Sequence, residues 1–141
     1  MSERVEIHQD FPMPVAKVFA DLGDHENLGR ILGAPMTRIV DGRGPGGKNG
    51  VGSVRRVGPP VVGFEETVTA CEVDKLIEYK VTKGGPIKNH LGRMVFTETP
   101  TGSHLHYVIT FDPKVPGTGP FIKQLLGGAA AKALKKYARK G

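Results

Sequence analysis

The chain has 141 residues, a mass of 15.1 kDa and 38% hydrophobic residues, values typical of one ordinary globular domain. No apolar run approaches the ~20 residues that a membrane span requires, and the charged, alternating N-terminus does not resemble a secretory signal. A single cysteine excludes an internal disulfide and a cysteine-rich metal site. We therefore expect one cytoplasmic domain over residues 1–141.

The net charge of +6 belongs to one end of the chain rather than to the whole surface. After Asp112 no acidic residue occurs, and seven basic residues follow: Lys114, Lys123, Lys132, Lys135, Lys136, Arg139 and Lys140. The first 112 residues are nearly neutral as a result. This distribution argues against a nucleic acid as the partner.

The N-terminal third predicts one strand and two short helices. Residues 3–9 alternate polar and apolar side chains, which is typical of a half-buried strand. Over 14–22 the apolar residues recur at three- and four-residue spacing, which predicts a short helix. Asp24 is a candidate N-cap for a second short helix that ends before Pro35.

The middle of the chain predicts antiparallel strands joined by tight turns. Turn-forming Gly, Pro and Asp residues separate runs of β-type sequence. The predicted strands cover 36–40, 52–57, 61–72, 76–82, 90–99 and 103–112. The second and third of them are expected to form a hairpin around Gly58-Pro59-Pro60.

A long amphipathic helix is predicted over 120–139. Its apolar stripe comprises Leu126, Ala130, Ala133, Leu134 and Tyr137. Gly127 and Gly128 are expected to weaken or bend it. The basic residues of this segment fall on the opposite face. They form either the solvated side of a core helix or a contact surface for an acidic partner or anionic lipid head groups.

These elements predict an α+β fold in which a curved antiparallel sheet of about seven strands wraps around the long C-terminal helix. The helix must bury its apolar stripe against the concave face of the sheet. Such an arrangement encloses volume, and the pair of short helices is placed to cover one end of it. An enclosed, mostly apolar space is the usual form of a small-molecule site.

Glu66 is the most unusual residue among the inward-facing candidates. It shares its strand face with apolar alternates, so its carboxylate needs a partner or a raised pKa. Arg55 or Arg56 can supply the partner across the hairpin. The pair then serves either as a polar anchor for a ligand or as a structural ion pair.

His90 is the candidate acid or base. Its orientation depends on strand register: if Met94 and Phe96 face inward, period two also turns His90 towards the cavity. The competing register turns it outward. An inward imidazole can hydrogen-bond a ligand carbonyl or move a proton near neutral pH.

Three other motifs predict ordinary structure. The loop 42–49 satisfies a Gly-x-Gly-x-x-Gly pattern, but a strand follows it rather than the helix that phosphate binding needs. His104 and His106 share the outer face of their strand and are interpreted as exposed side chains. Cys71 alternates with threonines and is expected on the outer face too. No metal site and no cofactor is predicted.

Several stretches, in order, resemble the START/polyketide-cyclase (SRPBCC) superfamily, whose helix-grip fold is also that of the birch-pollen allergen. The stretches that carry the resemblance are 18–28, 50–55, 65–68, 85–92, 101–107 and 111–113. The resemblance implies a hydrophobic pocket for lipids, sterols or polyketides. Some members of the superfamily steer polyketide cyclisation, while others only bind or carry ligands, so fold alone does not fix the reaction.

The leading hypothesis is a domain that binds a small, largely hydrophobic molecule between sheet and C-terminal helix. The predicted lining comprises Arg56, Glu66, Tyr79, His90, Met94, Phe96, Tyr107, Leu126 and Ala130. The first alternative is a polyketide cyclase or dehydratase with His90 as acid/base, oriented by Glu66 or Arg56. The second is an interaction module that uses the basic C-terminal helix.

Overall fold

The computed structural model describes residues 2–58 and 63–140 and contains three helices and seven strands within them. The helices are α1 (Val15–Gly23), α2 (His25–Leu32) and α3 (Gly119–Arg139). The strands are β1 (Glu3–Phe11), β2 (Met36–Val40), β3 (Val54–Val57), β4 (Phe64–Glu72), β5 (Leu76–Lys83), β6 (Ile87–Thr99) and β7 (Gly102–Pro113). The predicted element order is confirmed, while most of the expected turn Gly58-Pro59-Pro60 lies outside the described residues.

The strands form one antiparallel sheet in the order β1-β7-β6-β5-β4-β3-β2. Neighbours in the sheet are neighbours in sequence except for β1, which pairs with β7 because α1 and α2 carry the chain away from it. The two ends of the sheet are therefore β1 and β2. The sheet is curved and grips α3, which confirms the helix-grip fold.

The short helices are bounded by local signals that the sequence carries. The Asp24 carboxylate accepts a hydrogen bond of 2.9 Å from the Asn27 amide, as expected of an N-cap. At the other end of α2, Gly33 adopts a left-handed conformation with φ of 72°, which ends the helix.

Helix α3 is continuous through Gly127 and Gly128. That the two glycines weaken or bend it stays a prediction. Gly127 packs against β1. A Cβ atom at position 127 would lie 3.2 Å from Val5 Cγ1, so the absence of a side chain lets the helix approach the sheet closely. Ala130 and Leu134 complete the buried face of the helix.

Two irregularities in strand pairing reset which residues face inward. In β4 the pairing with β5 shifts between Val68 and Ala70. In β6 the pairing with β7 shifts between Lys88 and Leu91, where Asn89 has a positive φ of 51°. Across each shift, the residues that point inward change from one parity of the sequence to the other.

None of the helices within the described residues combines the length and the apolar character that a bilayer-spanning helix needs.

Candidate functional site

A cavity of about 310 Å³ lies between the sheet, α2 and α3. Its walls are mostly apolar, and they are formed by Leu28, Leu32, Ala34, Met36, Val57, Phe64, Ile87, Ile109, Leu125, Leu126, Ala129 and Ala130. Five polar residues complete the lining: Arg55, Glu66, Tyr79, His90 and Tyr107. Leu125 both lines the cavity and is 57% exposed, which places the mouth beside α3.

Six of the nine residues that the sequence predicts as lining meet at this cavity. They are Glu66, Tyr79, His90, Tyr107, Leu126 and Ala130. The other three are placed elsewhere. Met94 and Phe96 are buried deeper in the core, where the ring of Phe96 packs edge-on against Phe19 of α1, with centroids 5.2 Å apart.

Arg55, and not Arg56, is the arginine at the cavity. Arg55 is in register with Glu66 on the inner face, and its Nε donates a hydrogen bond of 2.7 Å to Glu66 Oε1. Arg56 pairs in register with Glu65 on the other face of the sheet. The prediction that Arg56 lines the cavity is therefore wrong. Successive side chains of a strand point to opposite sides, so Arg56 faces away from the cavity that Arg55 lines.

The Arg55–Glu66 pair is a buried ion pair. The two residues are 3% and 7% exposed. Burial lowers the pKa of the Arg55 guanidinium, but the adjacent Glu66 carboxylate more than offsets this effect and raises it overall. The guanidinium also lies over the ring of Tyr79, 4.5 Å from its centroid, in a cation–π contact. Both charges are thus compensated inside the protein.

Arg55 also contacts a buried hydrogen-bonded pair, His25 and Ser53. A terminal guanidinium nitrogen of Arg55 lies 3.2 Å from His25 Nδ1, and His25 Nε2 lies 2.9 Å from the Ser53 hydroxyl. Because Arg55 donates, His25 Nδ1 accepts, and the Nε2–H is then left to donate to Ser53. Burial, together with the Arg55 charge, lowers the pKa of His25 to about 4. His25 is accordingly a neutral acceptor at neutral pH.

Neither His25 nor Ser53 is among the site residues predicted from the sequence. The available signal was weak: His25 directly follows the N-cap of α2, and Ser53, just before β3, shares the parity of Arg55. Neither fact predicts that α2 brings the imidazole to the end of β3. That meeting is decided by tertiary packing.

Tyr79 and Tyr107 hydrogen-bond each other through their hydroxyl groups at the wall of the cavity. Burial raises the pKa of Tyr107 to about 12 and raises that of Tyr79 well above its usual value. Both are neutral phenols at neutral pH. A Cβ atom at Gly92, in register with Tyr79 on the next strand, would overlap the Tyr79 ring, so this glycine makes room for it.

His90 points inward, on the face that also carries Met94 and Phe96. Its Nδ1 accepts a hydrogen bond of 2.9 Å from the amide of Val81, which leaves the proton of the neutral ring on Nε2. Burial lowers the pKa of His90, with Arg55 acting in the same direction and Glu66 opposing it. His90 therefore offers a neutral N–H donor to the cavity.

Cys71 is buried, which corrects the expectation that it lies on the outer face. The pairing shift beyond Val68 turns its side chain inward, against the loop that contains Gly46. Burial raises the pKa of its thiol. The same loop forms a short 3-10 turn over Gly47–Asn49, and strand β3 follows it, as predicted.

The cavity combines an apolar chamber with one polar wall. The wall can donate hydrogen bonds from His90 Nε2 and from a tyrosine hydroxyl, while its one cation is already matched by Glu66. A neutral ligand with a carbonyl, hydroxyl or ether oxygen fits this balance better than an ion, because an ion would remain partly unpaired after desolvation.

Solved structures show where this architecture recurs. Ara h 8.0201 superposes with a TM-score of 0.67 and 18% identity over 100% of both chains. A protein from Nitrosospira multiformis gives 0.72 and 14% over 96% of both chains. Norcoclaurine synthase from Thalictrum flavum, in complex with dopamine and hydroxybenzaldehyde, gives 0.68 and 16% over 99% of this chain and 88% of its own. At identities this low, these superpositions establish a shared fold and not a shared function.

In sequence, no curated protein is significantly similar to the chain. Residues 2–141 match the family model described as polyketide cyclase / dehydrase and lipid transport. Because the match spans nearly the whole chain and the helix-grip fold agrees with it, the chain belongs to this family of hydrophobic-ligand-binding domains.

Proposed function

We propose that this domain binds one small, neutral, largely hydrophobic molecule in the cavity between the sheet and α3. The observation that carries the proposal is an apolar chamber closed on one side by Arg55, Glu66, Tyr79, His90 and Tyr107. Ligand pockets in proteins combine apolar walls with a few convergent polar groups in this way. The apolar walls supply affinity, and the polar wall fixes orientation.

The size of the cavity narrows the ligand class. A volume of about 310 Å³ is at the lower end of the range of small-molecule pockets. This favours a compact molecule with one or two rings, such as a short aromatic polyketide, over a sterol or a two-chain lipid. Norcoclaurine synthase, which has the same fold, is seen with the single-ring compounds dopamine and hydroxybenzaldehyde.

The first experiment is mass spectrometry of an organic extract of the purified protein, together with native mass spectrometry of the intact complex. The proposal expects a compound at one molecule per chain, or uptake of one from a panel of aromatic polyketides, fatty acids and sterols. If the native protein binds nothing from the extract or the panel, the proposed function is wrong.

A matched pair of variants locates the site. Ala130→Phe places a ring in the cavity and should abolish uptake, whereas Gln124→Phe adds the same ring at an exposed position of α3 and should not. Both variants are checked for unchanged circular dichroism. Equal uptake by both would place the ligand elsewhere.

A catalytic role is the second candidate, and the orientation of His90 favours it. The Nε2–H can hydrogen-bond the carbonyl oxygen of a poly-β-ketone and stabilise the negative charge that develops there, while water takes the α-proton because Nδ1 already accepts from Val81. His90→Gln keeps a side-chain donor but cannot exchange a proton. If His90 is the acid/base, this variant binds product normally and loses turnover. Undiminished turnover would restrict His90 to binding.

A further inference from the structure

The outer face of the sheet carries a cluster of imidazole and carboxylate groups, on the side opposite the cavity. It comprises Glu6, His8 and Asp10 of β1 and His104 and His106 of β7. Their side chains face outward because the intervening residues, Val5, Ile7, Leu105 and Tyr107, are the buried alternates. In register, His8 is opposite His106 and Asp10 is opposite His104. From the sequence, His104 and His106 are interpreted as exposed side chains of one strand face, and no metal site is predicted.

Three of these residues bring potential metal ligands together. One ligand atom each from Glu6, His8 and His106 falls within 4.8 Å of the others. Glu6 Oε2 lies 2.5 Å from His106 Nε2 and 3.7 Å from His8 Nε2. Two donors on one tetrahedral Zn²⁺ are separated by about 3.3 Å, so the set closes once these separations adjust and one imidazole ring turns.

A relay of hydrogen bonds orients His8 as a ligand. His8 Nδ1 lies 3.0 Å from His104 Nε2, and His104 Nδ1 lies 2.7 Å from the Asp10 carboxylate. Because the carboxylate accepts, His104 donates from Nδ1 and accepts at Nε2, so His8 donates from Nδ1. In neutral His8 the lone pair is then on Nε2, which faces the Glu6 carboxylate. Two acceptors that face each other repel unless a proton, a water or a metal ion lies between them, and carboxylate–histidine relays of this kind orient metal-bound imidazoles.

We propose that Glu6, His8 and His106 bind one divalent late transition-metal ion, such as Zn²⁺, on the outer face of the sheet, with Asp10 and His104 positioning His8. Two imidazoles and one carboxylate form a donor set that suits Zn²⁺, Cu²⁺ or Ni²⁺ rather than Ca²⁺ or Mg²⁺. The remaining coordination positions are open to water. The ion would cross-link β1, an edge strand, to its single neighbour β7.

Binding of the metal ion requires changes in the side chains around it. The rings of His8 and His106 are stacked, with centroids 4.2 Å apart and an angle of 8° between them, so one ring must turn about its terminal torsion to aim its lone pair at the ion. That torsion is soft. The ion must also displace the proton held between His106 and Glu6. Arg4, whose terminal nitrogen is 3.6 Å from Glu6, competes for the carboxylate, and Arg93 lines the same surface cleft as His106.

The test uses untagged, chelator-stripped protein and Zn²⁺ in competition with a chromogenic chelator. The proposal expects one Zn²⁺ per chain with micromolar affinity. His8→Asn and His106→Asn should each weaken binding by at least about 100-fold, and His104→Asn by about 10-fold, since a positioning residue costs less than a ligand. Arg4→Gln should strengthen binding. Glu98→Gln, an exposed carboxylate of β6 outside the cluster, is the matched control and should bind as the parent does.

Thermal unfolding gives a readout that is independent of the chelator. Zn²⁺ should raise the melting temperature of the parent protein and of Glu98→Gln, but not that of His8→Asn. Three results would overturn the proposal: no Zn²⁺ binding by the untagged parent, unchanged affinity in His8→Asn and His106→Asn, or one Zn²⁺ per two chains with dimerisation. None of these results bears on ligand uptake by the cavity, so the two proposals stand or fall separately.

Discussion

Removing the charge of Glu66 should strongly destabilise the fold, because it leaves Arg55 as an uncompensated buried cation. In Glu66→Gln the amide oxygen replaces Oε1 and can still accept the Arg55 hydrogen bond. The shape of the side chain is kept, and only the charge is lost. The side chains of the pair are 4% and 9% exposed, so water cannot take over the compensation.

The expected magnitude follows from the geometry. The 2.7 Å contact between Nε and Oε1 puts the two charge centres about 4 Å apart, which corresponds to about 4 kcal/mol at an effective dielectric constant of about 20. Breaking a buried ion pair by removing one partner typically costs about 3–5 kcal/mol. The two figures agree, and the cation–π contact with Tyr79 offsets only part of the loss.

The assay is equilibrium unfolding in urea, followed by circular dichroism. Glu66→Gln should lower the free energy of unfolding by about 3–5 kcal/mol without a change in the urea dependence. Glu65→Gln is the matched control, since Glu65 is the next residue of β4 and faces the opposite side. Away from buried charges, its effect should stay within about 0.5 kcal/mol.

A double variant separates charge from shape. Arg55→Met combined with Glu66→Gln removes both charges, so it should regain at least half of the stability that Glu66→Gln loses. The reasoning is refuted if Glu66→Gln costs less than about 1 kcal/mol, or if the double variant is no more stable than the single one.

Three further predictions concern stability. Because the pKa of His25 falls to about 4 on folding from an ordinary value of 6.5, the unfolded chain binds the proton more tightly between these values, and stability drops as pH falls below 6.5. His25 should lower the free energy of unfolding by about 2 kcal/mol from pH 7 to pH 5. His25→Gln should reduce the pH slope by this amount and leave the contribution of His90, whose pKa burial also lowers. An unchanged pH slope in this variant would contradict the assignment. Gly92→Ala should lower the free energy of unfolding by about 1–3 kcal/mol, because the new Cβ forces the Tyr79 ring aside. Gly128→Ala has open space around its Cβ and should instead stabilise α3 by up to about 1 kcal/mol. Similar effects of the two variants in urea unfolding would argue against the packing explanation. Asp24→Ala should lower stability by about 1 kcal/mol through loss of the α2 cap, and a change too small to measure in the same assay would show that the cap contributes little.

The order of elements follows from local signals, and these were sufficient for the fold. Alternation in β1 and β7, the N-cap at Asp24 and the apolar stripe of α3 each act over a few residues, so they are readable without the structure. An apolar stripe on one helix and an apolar face on a sheet must then be buried, and few architectures bury both against each other. The resemblance of several stretches to one superfamily pointed to the same architecture.

Four of the five polar residues of the cavity, Glu66, Tyr79, His90 and Tyr107, are among those predicted from the sequence, but the arginine that accompanies them is not. In β3 the sequence Val-Arg-Arg-Val places a valine at each parity, so alternation cannot tell whether Arg55 or Arg56 faces inward. Only the register with Glu66 decides it. Met94 and Phe96 share the inner face with His90, yet α1 packs over their part of the sheet, so the cavity is formed elsewhere.

By itself, the sequence determined the elements, their order and the buried stripes, because backbone preferences and hydrophobic periodicity are local properties. The tertiary structure decided which side chains meet. The pairing shift in β4 turned Cys71 inward, α2 brought His25 to Arg55, and the closure of β1 onto β7 assembled the outer histidine cluster. Each of these contacts joins residues that are distant in sequence or depends on a one-residue change in pairing, and a period of two carries no information about either.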